Sequence, residues 1–328
     1  VRSEPFIWQF HAPGVDKPST RTVLSLSAPF PTTPAPVSPP PPVPVIFNPC
    51  ARSAQAESRI DELKALSNRV VLHPTSKAGD ARDIAASLAA AGAPVIVAAG
   101  GDGTVNEVVN GIASAGQGCP SALGLLPSGT MNVFAMDLGL PSERMDECWA
   151  VIERGISRSI DLWRANDSYF VQLAGAGLDA SIIASTTWES KKKLGPLSYV
   201  LSGLRSLQQP APMLTIRAPG REPVTGTVAL IGNGRSYGGP FRLFPDASFD
   251  DGKLDVVVMK HHGIAEFLKL SLSVMSGQFA RDGSVLTFQT PELTISAEGN
   301  VPFEADGELS GSVPVHIRHA GFPLRVLV

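Results

Sequence analysis

The apolar positions along the chain fall into three textures. Residues 1–44 show no helical or strand period long enough to seed a core. From residue 44 to about 157, short apolar runs alternate with segments of helical spacing. Runs at 43–47, 70–72, 94–99 and 122–126 predict strands. Helices are predicted at 53–68, 80–91, 104–113, 132–137 and 142–154. Ile60, Leu63 and Leu66 share a face of the first, and Gly92 stops the second. This alternation implies a doubly wound α/β domain, its parallel sheet covered on both faces. Beyond residue 157 strands dominate, at 159–164, 169–173, 213–218, 224–232, 254–259, 285–290, 293–297 and 313–317. Many are separated by Gly, Pro, Asn or Asp, so the second half reads as a mostly antiparallel β domain. Helical segments at 192–208 and 264–276 interrupt it.

Composition sharpens this division. Residues 1–44 hold 12 of the 29 prolines, including the run from Pro39 to Pro42, which predicts an extended, Pro-rich disordered arm. The expected units are therefore the arm at 1–44, an α/β domain at 45–157 and a β-rich domain at 158–328. At 17% charged residues and a net charge of −3, the chain has no field for holding a polyanion, so nucleic acid is not an expected partner. Cys50, Cys119 and Cys148 stand far apart, without disulfide or zinc spacing. The uncharged stretches 84–101 and 108–136 are broken by Gly, Pro and Ser, and the first residues lack a signal-peptide pattern. The expected location is cytoplasmic, or peripheral at the inner membrane surface.

Chemistry concentrates where strands end. The run Gly100, Gly101, Asp102, Gly103, Thr104, Val105, Asn106 follows a buried strand and opens a helix. Glycines let backbone N–H groups approach phosphate oxygens, and a helix N-terminus favours negative charge. The run is neither Gly-x-Gly-x-x-Gly nor a Walker loop. An acid inside such a loop would repel phosphate unless a cation lay between them, so Asp102 points to a Mg²⁺-nucleotide complex; the plainer role is a helix cap. A second strand end, at Pro127, Ser128, Gly129, Thr130 and Asn132, repeats the pattern. Neighbouring parallel strands with such loops would form one crevice, with Thr104 and Thr130 lining it.

Together these residues resemble the diacylglycerol kinase catalytic domain, which includes bacterial soluble lipid kinases and the sphingosine and ceramide kinases. The resemblance rests on Gly100–Thr104 with Asn106 and Glu107, and on Pro127–Thr130 with Asn132 and Phe134. It extends through Asn48 and Pro49, Thr75, Gly79–Ala81, residues 175–180, Asn233, Tyr237–Gly239, Pro245–Ala247, Asp251–Asp255 and Asp306–Glu308, covering roughly residues 45–328. It implies a nucleotide domain and a β-sandwich-like domain, with ATP in the cleft between them. It implies nucleotide contacts at Asn48, Thr75, Gly100, Gly101, Asp102, Gly103, Thr104, Val105, Asn106 and Thr130. Glu308 would be the base for the acceptor hydroxyl, and Asp306 and Asp102 would join the catalytic metal network. A structural Mg²⁺ would be held by Asp251 with the carbonyls of Ser248 and Lys253.

The implied partner is a lipid alcohol met by transient contact with a membrane surface, while a homodimer is compatible with the chain but carried by no motif. Trp188, Lys191–Lys193 and the apolar stretch 194–207 offer an interfacial patch, or more plainly a solvated helix start. Taken alone, Asp306-Gly307-Glu308 is a hairpin turn signal. Two departures stand out: Val133 replaces the Asp that many members carry after Asn132, and the loop after Asn48 lacks the usual Ser-Gly pair. The alternatives are an NAD kinase, which shares the glycine-aspartate loop, and a catalytically inactive nucleotide-binding regulatory protein.

Overall fold

A computed structural model of the chain describes residues 41–49, 56–141, 144–177, 212–237, 239, 241–261 and 283–328. Residues 1–40 of the Pro-rich arm, Trp188, Lys191–Lys193 and the helices expected at 192–208 and 264–276 lie outside the described residues.

The first sheet follows from the apolar runs. Its strands are β1 (Val43–Phe47), β2 (Val70–Pro74), β3 (Val95–Gly100) and β4 (Ala122–Pro127), joined through α1 (Ala56–Leu66), α2 (Asp80–Ala90) and α3 (Asp102–Ser114). β1 and β4 are buried along their whole length, as a parallel strand covered on both faces must be. Leu63 of α1 is fully buried, with Ile60 and Leu66 half-buried against the same core. Two further helices, α4 (Val133–Asp137) and α5 (Met145–Arg154), follow β4. α5 buries Cys148, Trp149, Val151 and Ile152.

Beyond α5 the chain forms β5 (Ser157–Ile160), β6 (Trp163–Ala165), β7 (Ser168–Phe170), β8 (Leu173–Gly177), β9 (Leu214–Arg217), β10 (Val224–Gly226) and β11 (Val228–Gly232). Next come β12 (Ser236–Tyr237), β13 (Phe241–Arg242), β14 (Leu254–Met259), β15 (Val285–Thr290) and β16 (Glu292–Ala297). The last are β17 (Pro302–Ala305), β18 (Glu308–Ser312), β19 (Val315–His319) and β20 (Leu324–Leu327). Two six-stranded sheets result, ordered β10-β9-β16-β19-β6-β7 and β15-β14-β11-β8-β17-β18. Their inner faces share one core, with Trp163, Phe170, Ile216 and Ile317 from one sheet and Ile231, Val256 and Phe303 from the other. This is a sandwich of interdigitating side chains. Trp163 carries a polar atom into that core, and its Nε1–H is satisfied by Asn233 Oδ1 at 2.8 Å.

Three single strands expected from the pattern are each two strands in different sheets. Residues 159–164 divide into β5 and β6, 169–173 into β7 and β8, and 224–232 into β10 and β11. At each division the chain turns a corner while staying buried, so the apolar pattern continues across it. Thr227, at the last corner, donates its N–H to Met259 O.

The final strand does not stay with the sandwich. β20 returns to the first sheet, whose order is β2-β1-β3-β4-β20-β5, and pairs parallel with β4 and antiparallel with β5. Residues 45–157 therefore do not complete that sheet alone. Leu324 is 3% exposed within the first core, and truncating such a leucine costs about 2–5 kcal/mol. Leu324→Ala should accelerate hydrogen exchange in β4 before β16 and β19 are affected. Equal acceleration in both sheets would show that β20 does not belong energetically to the first.

Candidate functional site

The strand order places the site. β2 lies on one side of β1 and β3 on the other, so the chain reverses direction across the sheet between β1 and β3. Ligands of open α/β sheets bind at such a switch point, beyond the strands' C-terminal ends. Asn48 follows β1, Thr75 follows β2, Gly100 ends β3 and Pro127 ends β4. All nucleotide residues expected from the sequence thus lie on one edge of one sheet. Thr75 is buried, and its N–H bonds Phe47 O at 3.0 Å, tying the ends of β1 and β2 together.

The two glycine loops are locked to each other. Ser128 N donates to Gly100 O at 2.9 Å, continuing the β3–β4 pairing past the strands. A Cβ on Gly129 would stand 2.5 Å from Gly101 Cα, so only glycine lets the two backbones cross. Asn132 closes the second loop with a pair of bonds to Gly129, accepting its N–H at 2.9 Å and donating to its carbonyl at 3.1 Å. Thr104 packs beneath Gly100 and Thr130 is exposed at the loop's tip.

Asp102 is the first residue of α3, yet its carboxylate caps a different helix. The N–H groups of Phe134, Val133 and Asn132, at the start of α4, hydrogen-bond to it. Burial pushes its carboxyl above the ordinary carboxylate range, against the pull of those donors. The plainer role expected of Asp102 is to cap the helix it opens, whereas its carboxylate lies at the start of α4. Val133 presents its backbone N–H to Asp102 while its side chain is buried at 6% exposure, so no carboxylate from position 133 enters the site.

Asp306 and Gly307 have φ of 49° and 81° and close a two-residue hairpin between β17 and β18, with Ala305 opposite Glu308. Left-handed conformation at both positions is what such a turn requires and what Asp-Gly supplies. Asp306 is more than a turn residue. Oδ1 accepts from Gln172 N at 2.9 Å and Leu173 N at 3.1 Å; Oδ2 accepts from Val171 N at 3.0 Å and Asn106 Nδ2 at 3.3 Å. Two donors on each oxygen match its four lone-pair sites, a structural role beside the one expected of Asp306 in the metal network. Burial pushes this carboxyl up too, with the four donors opposing. Charge-assisted bonds are worth about 1.5–3 kcal/mol each, and desolvating a carboxylate costs several kcal/mol, so the two effects are of similar size.

The hairpin brings Glu308 onto the first glycine loop. A Cβ on Gly103 would stand 3.0 Å from Glu308 Oε1. Residues about 200 positions apart in sequence thus meet, an acid lying directly over the loop suited to phosphate.

Glu107 enters the sequence reading only as part of the motif, and Asn110, Asp137 and Gln172 escape it. Glu107 accepts from Gly79 N at 2.9 Å and Ala81 N at 3.0 Å, holding the start of α2. Asn110 mimics a strand partner for Tyr169, donating to its carbonyl and accepting its N–H, each at 2.9 Å. Its spacing of four from Asn106 places both on one face of α3, a signal present in the sequence. Asp137 and Gln172 are bonded at 2.7 Å but lie 35 positions apart, with no local pattern to pair them.

The residues expected to hold a structural metal lie on the loop before β14. Ser248 Oγ donates to Asp250 Oδ1 at 2.7 Å, Asp250 pairs with Arg158 at 2.8 Å, and Asp251 Oδ1 accepts from Lys253 N at 3.0 Å. Burial raises the Asp255 carboxyl, and the nearby charges of Asp251 and Asp246 add to this. Among the described residues no three His, Cys, Asp or Glu side chains form a metal cage, and no helix is long and apolar enough to cross a membrane.

Comparison with known proteins matches two family models to the chain. Residues 42–165 match the diacylglycerol kinase catalytic domain, and residues 172–328 match the YegS C-terminal NAD kinase beta sandwich-like domain. A diacylglycerol kinase of Bacillus subtilis (strain 168) is 32% identical over 247 residues, 74% of this chain and 80% of the relative. A protein of Yersinia enterocolitica named "Probable lipid kinase YegS-like" is 36% identical over 250 residues, 74% of this chain and 82% of its own. A crystal structure described as that of "a putative diacylglycerol kinase from Bacillus anthracis str. Sterne" superposes with a TM-score of 0.71 at 26% identity, covering 87% of this chain and 94% of that one.

The crossing of the two loops generates a direct expectation. Gly129→Ala must separate Gly101 from Gly129, and overpacking of this kind costs about 1–3 kcal/mol. ATP affinity, measured by calorimetry, should fall at least ten-fold, whereas Gly139→Ala, with nothing within 4 Å of its Cβ but a left-handed φ of 75°, should cost only stability.

Proposed function

The chain belongs to the diacylglycerol kinase catalytic-domain family of lipid kinases, and from that membership we propose that Glu308 takes the proton of a lipid hydroxyl as its oxygen attacks ATP. The substrates of a kinase of this family are ATP and a lipid. The hydroxyl oxygen forms a bond to the γ-phosphorus, the bond from that phosphorus to the β-phosphate oxygen breaks, and ADP leaves. One observation carries this reading: the Glu308 carboxylate lies against Gly103 of the phosphate loop. A base must be within hydrogen-bond reach of the proton it removes, and that proton must lie beside the γ-phosphate.

The remaining roles follow from placement. Phosphoryl transfer asks a protein chiefly to position two reactants and neutralise phosphate charge. The N–H groups of Gly100–Asn106 at the start of α3 and the loop ending in Thr130 suit the phosphates. Asn48 and Thr75, on the adjacent strand ends, suit the rest of the nucleotide. Asp306 holds the turn that carries Glu308.

Mg²⁺ is part of this reading. Mg²⁺ keeps most of its waters and binds through one or two carboxylates and substrate phosphates, so an ion carried in on ATP asks little of the protein. Asp102, the carboxylate inside the loop, is the side chain placed to face it. When bound, the ion would neutralise charge on the phosphates. A second ion suits the loop of Ser248, Asp251 and Lys253, where repulsion among Asp246, Asp251 and Asp255 would be relieved by a cation. Contact with a membrane surface follows from the acceptor, whose acyl chains stay in the bilayer while its hydroxyl enters the cleft. An NAD kinase or an inactive regulator is not favoured, because the matched catalytic model and the curated names are those of lipid kinases.

The test is transfer of labelled γ-phosphate from ATP, with Mg²⁺, to diacylglycerol, phosphatidylglycerol, sphingosine, ceramide and NAD in mixed micelles. Label should appear on a lipid, and Glu308→Gln should keep ATP binding while losing about 10²–10⁴-fold in kcat; full activity of that variant would remove Glu308 as the base. For the second ion, the melting temperature should rise with Mg²⁺ in the native chain but much less in Asp251→Asn. An identical rise in both would leave that loop without a metal.

A further inference from the structure

Helix α4 has only five residues, too few to persist without outside support. Its first N–H groups rest on Asp102. Its last residue, Asp137, binds the β sandwich with both carboxylate oxygens. Oδ2 accepts from Gln172 Nε2 at 2.7 Å and Ser236 N at 2.8 Å, and Oδ1 accepts from Ser236 Oγ at 2.6 Å. Gln172 is 3% exposed, and its Nε2 also donates to Ser236 O at 3.0 Å.

The same Gln172 gives its backbone N–H to Asp306 Oδ1, and Asp306 Oδ2 accepts from Asn106 on α3. The bonds close a circuit. It runs from Asp102 at the start of α3, through α4 to Asp137, then to Gln172, Asp306 and back to α3 at Asn106. Both reactive parts hang on it: the second glycine loop leads directly into α4, and Glu308 follows Asp306 by two residues. The hydrogen bonds of Asp137 go to Gln172 and Ser236 of the sandwich. It is the junction by which the position of one is set relative to the other.

We infer that Asp137 is a positioning residue for phosphoryl transfer, holding the second glycine loop in register with the Asp306–Gly307 turn and so with Glu308. The inference rests on the reading of Glu308 as the base. In Asp137→Asn one oxygen is replaced by a donor, which removes an acceptor from the Ser236 and Gln172 groups and adds an N–H facing them. The base and the donor phosphate then lose their mutual register. Small misplacements of reacting groups cost on the order of 10²-fold in rate.

The experiment is a double-mutant cycle on the full chain, read by labelled phosphate transfer to the best lipid of the panel, with ATP binding and melting temperature followed in parallel. Asp137→Asn should lower kcat roughly ten- to a hundred-fold with KM for ATP changed less than about three-fold. In the Glu308→Gln background the same substitution should have almost no further effect on kcat, because residues acting as a unit are non-additive. An equal loss in both backgrounds, with Glu308→Gln itself strongly impaired, overturns the inference and leaves the base standing. Full activity of Glu308→Gln removes the base, and with it the premise. If Asp137→Asn does not fold, Ser236→Ala, which deletes only the Oγ–H donor, takes its place in the cycle: a loss of kcat confined to the Glu308 background supports the inference, and no loss or an equal loss in both overturns it.

Discussion

A carboxylate taken out of water must be surrounded by donors, and the satisfaction of Asp306 is the condition on which the rest of this structure turns. Its four donors come from the connection between β7 and β8 and from α3. No single element could supply them, because three successive backbone N–H groups converge only where a strand breaks pairing. Supplying them forces the sandwich, the hairpin of β17 and β18 and the nucleotide-side helix into one arrangement. Asn110, one turn further along α3, fixes the same approach through the backbone of Tyr169. These bonds to the sandwich come from α3, whose first turn is also the phosphate loop.

Charge and glycine divide the work at the site. Glycines at 101 and 129 bring two backbones within a distance no side chain would permit. Acids then pin what the glycines leave loose: Asp102 on the start of α4, Glu107 on the start of α2, and Asp137 on the sandwich. Each acid at a helix start answers N–H groups that have no partner within the helix. A phosphate-binding edge so built has its donors already oriented, which is the form in which electrostatic stabilisation is most effective. Asp306 is held by four donors, and Glu308, two residues on, lies over the loop.

Much of the architecture was legible because local and global preferences agree. β1, β3 and β4 are buried apolar runs, and α2 and α3 have glycine or small-residue ends, so their existence followed from pattern. The motif residues fell on one sheet edge for the same reason, since parallel strands share their C-terminal side. What pattern missed were corners and returns. Residues 159–164 and 224–232 look continuous because both halves of each bury apolar side chains, though in different sheets. β20, four residues long, carries too little periodicity to reveal which sheet it enters.

The sequence by itself determined the strand and helix alternation, the two glycine loops at strand ends, the Asp-Gly turn before Glu308 and the family they resemble. These depend on contacts within a few residues: backbone conformation, helix and strand period, turn chemistry. Only the tertiary structure decided that Glu308 lies over Gly103, that Asp102 caps α4 rather than α3, that Asp306 spends its oxygens on Gln172, Leu173, Val171 and Asn106, and that β20 completes the first sheet. Those facts depend on which distant groups can satisfy a buried donor or acceptor. Hydrogen-bond satisfaction is a property of the closed three-dimensional arrangement, and sequence spacing carries no record of it.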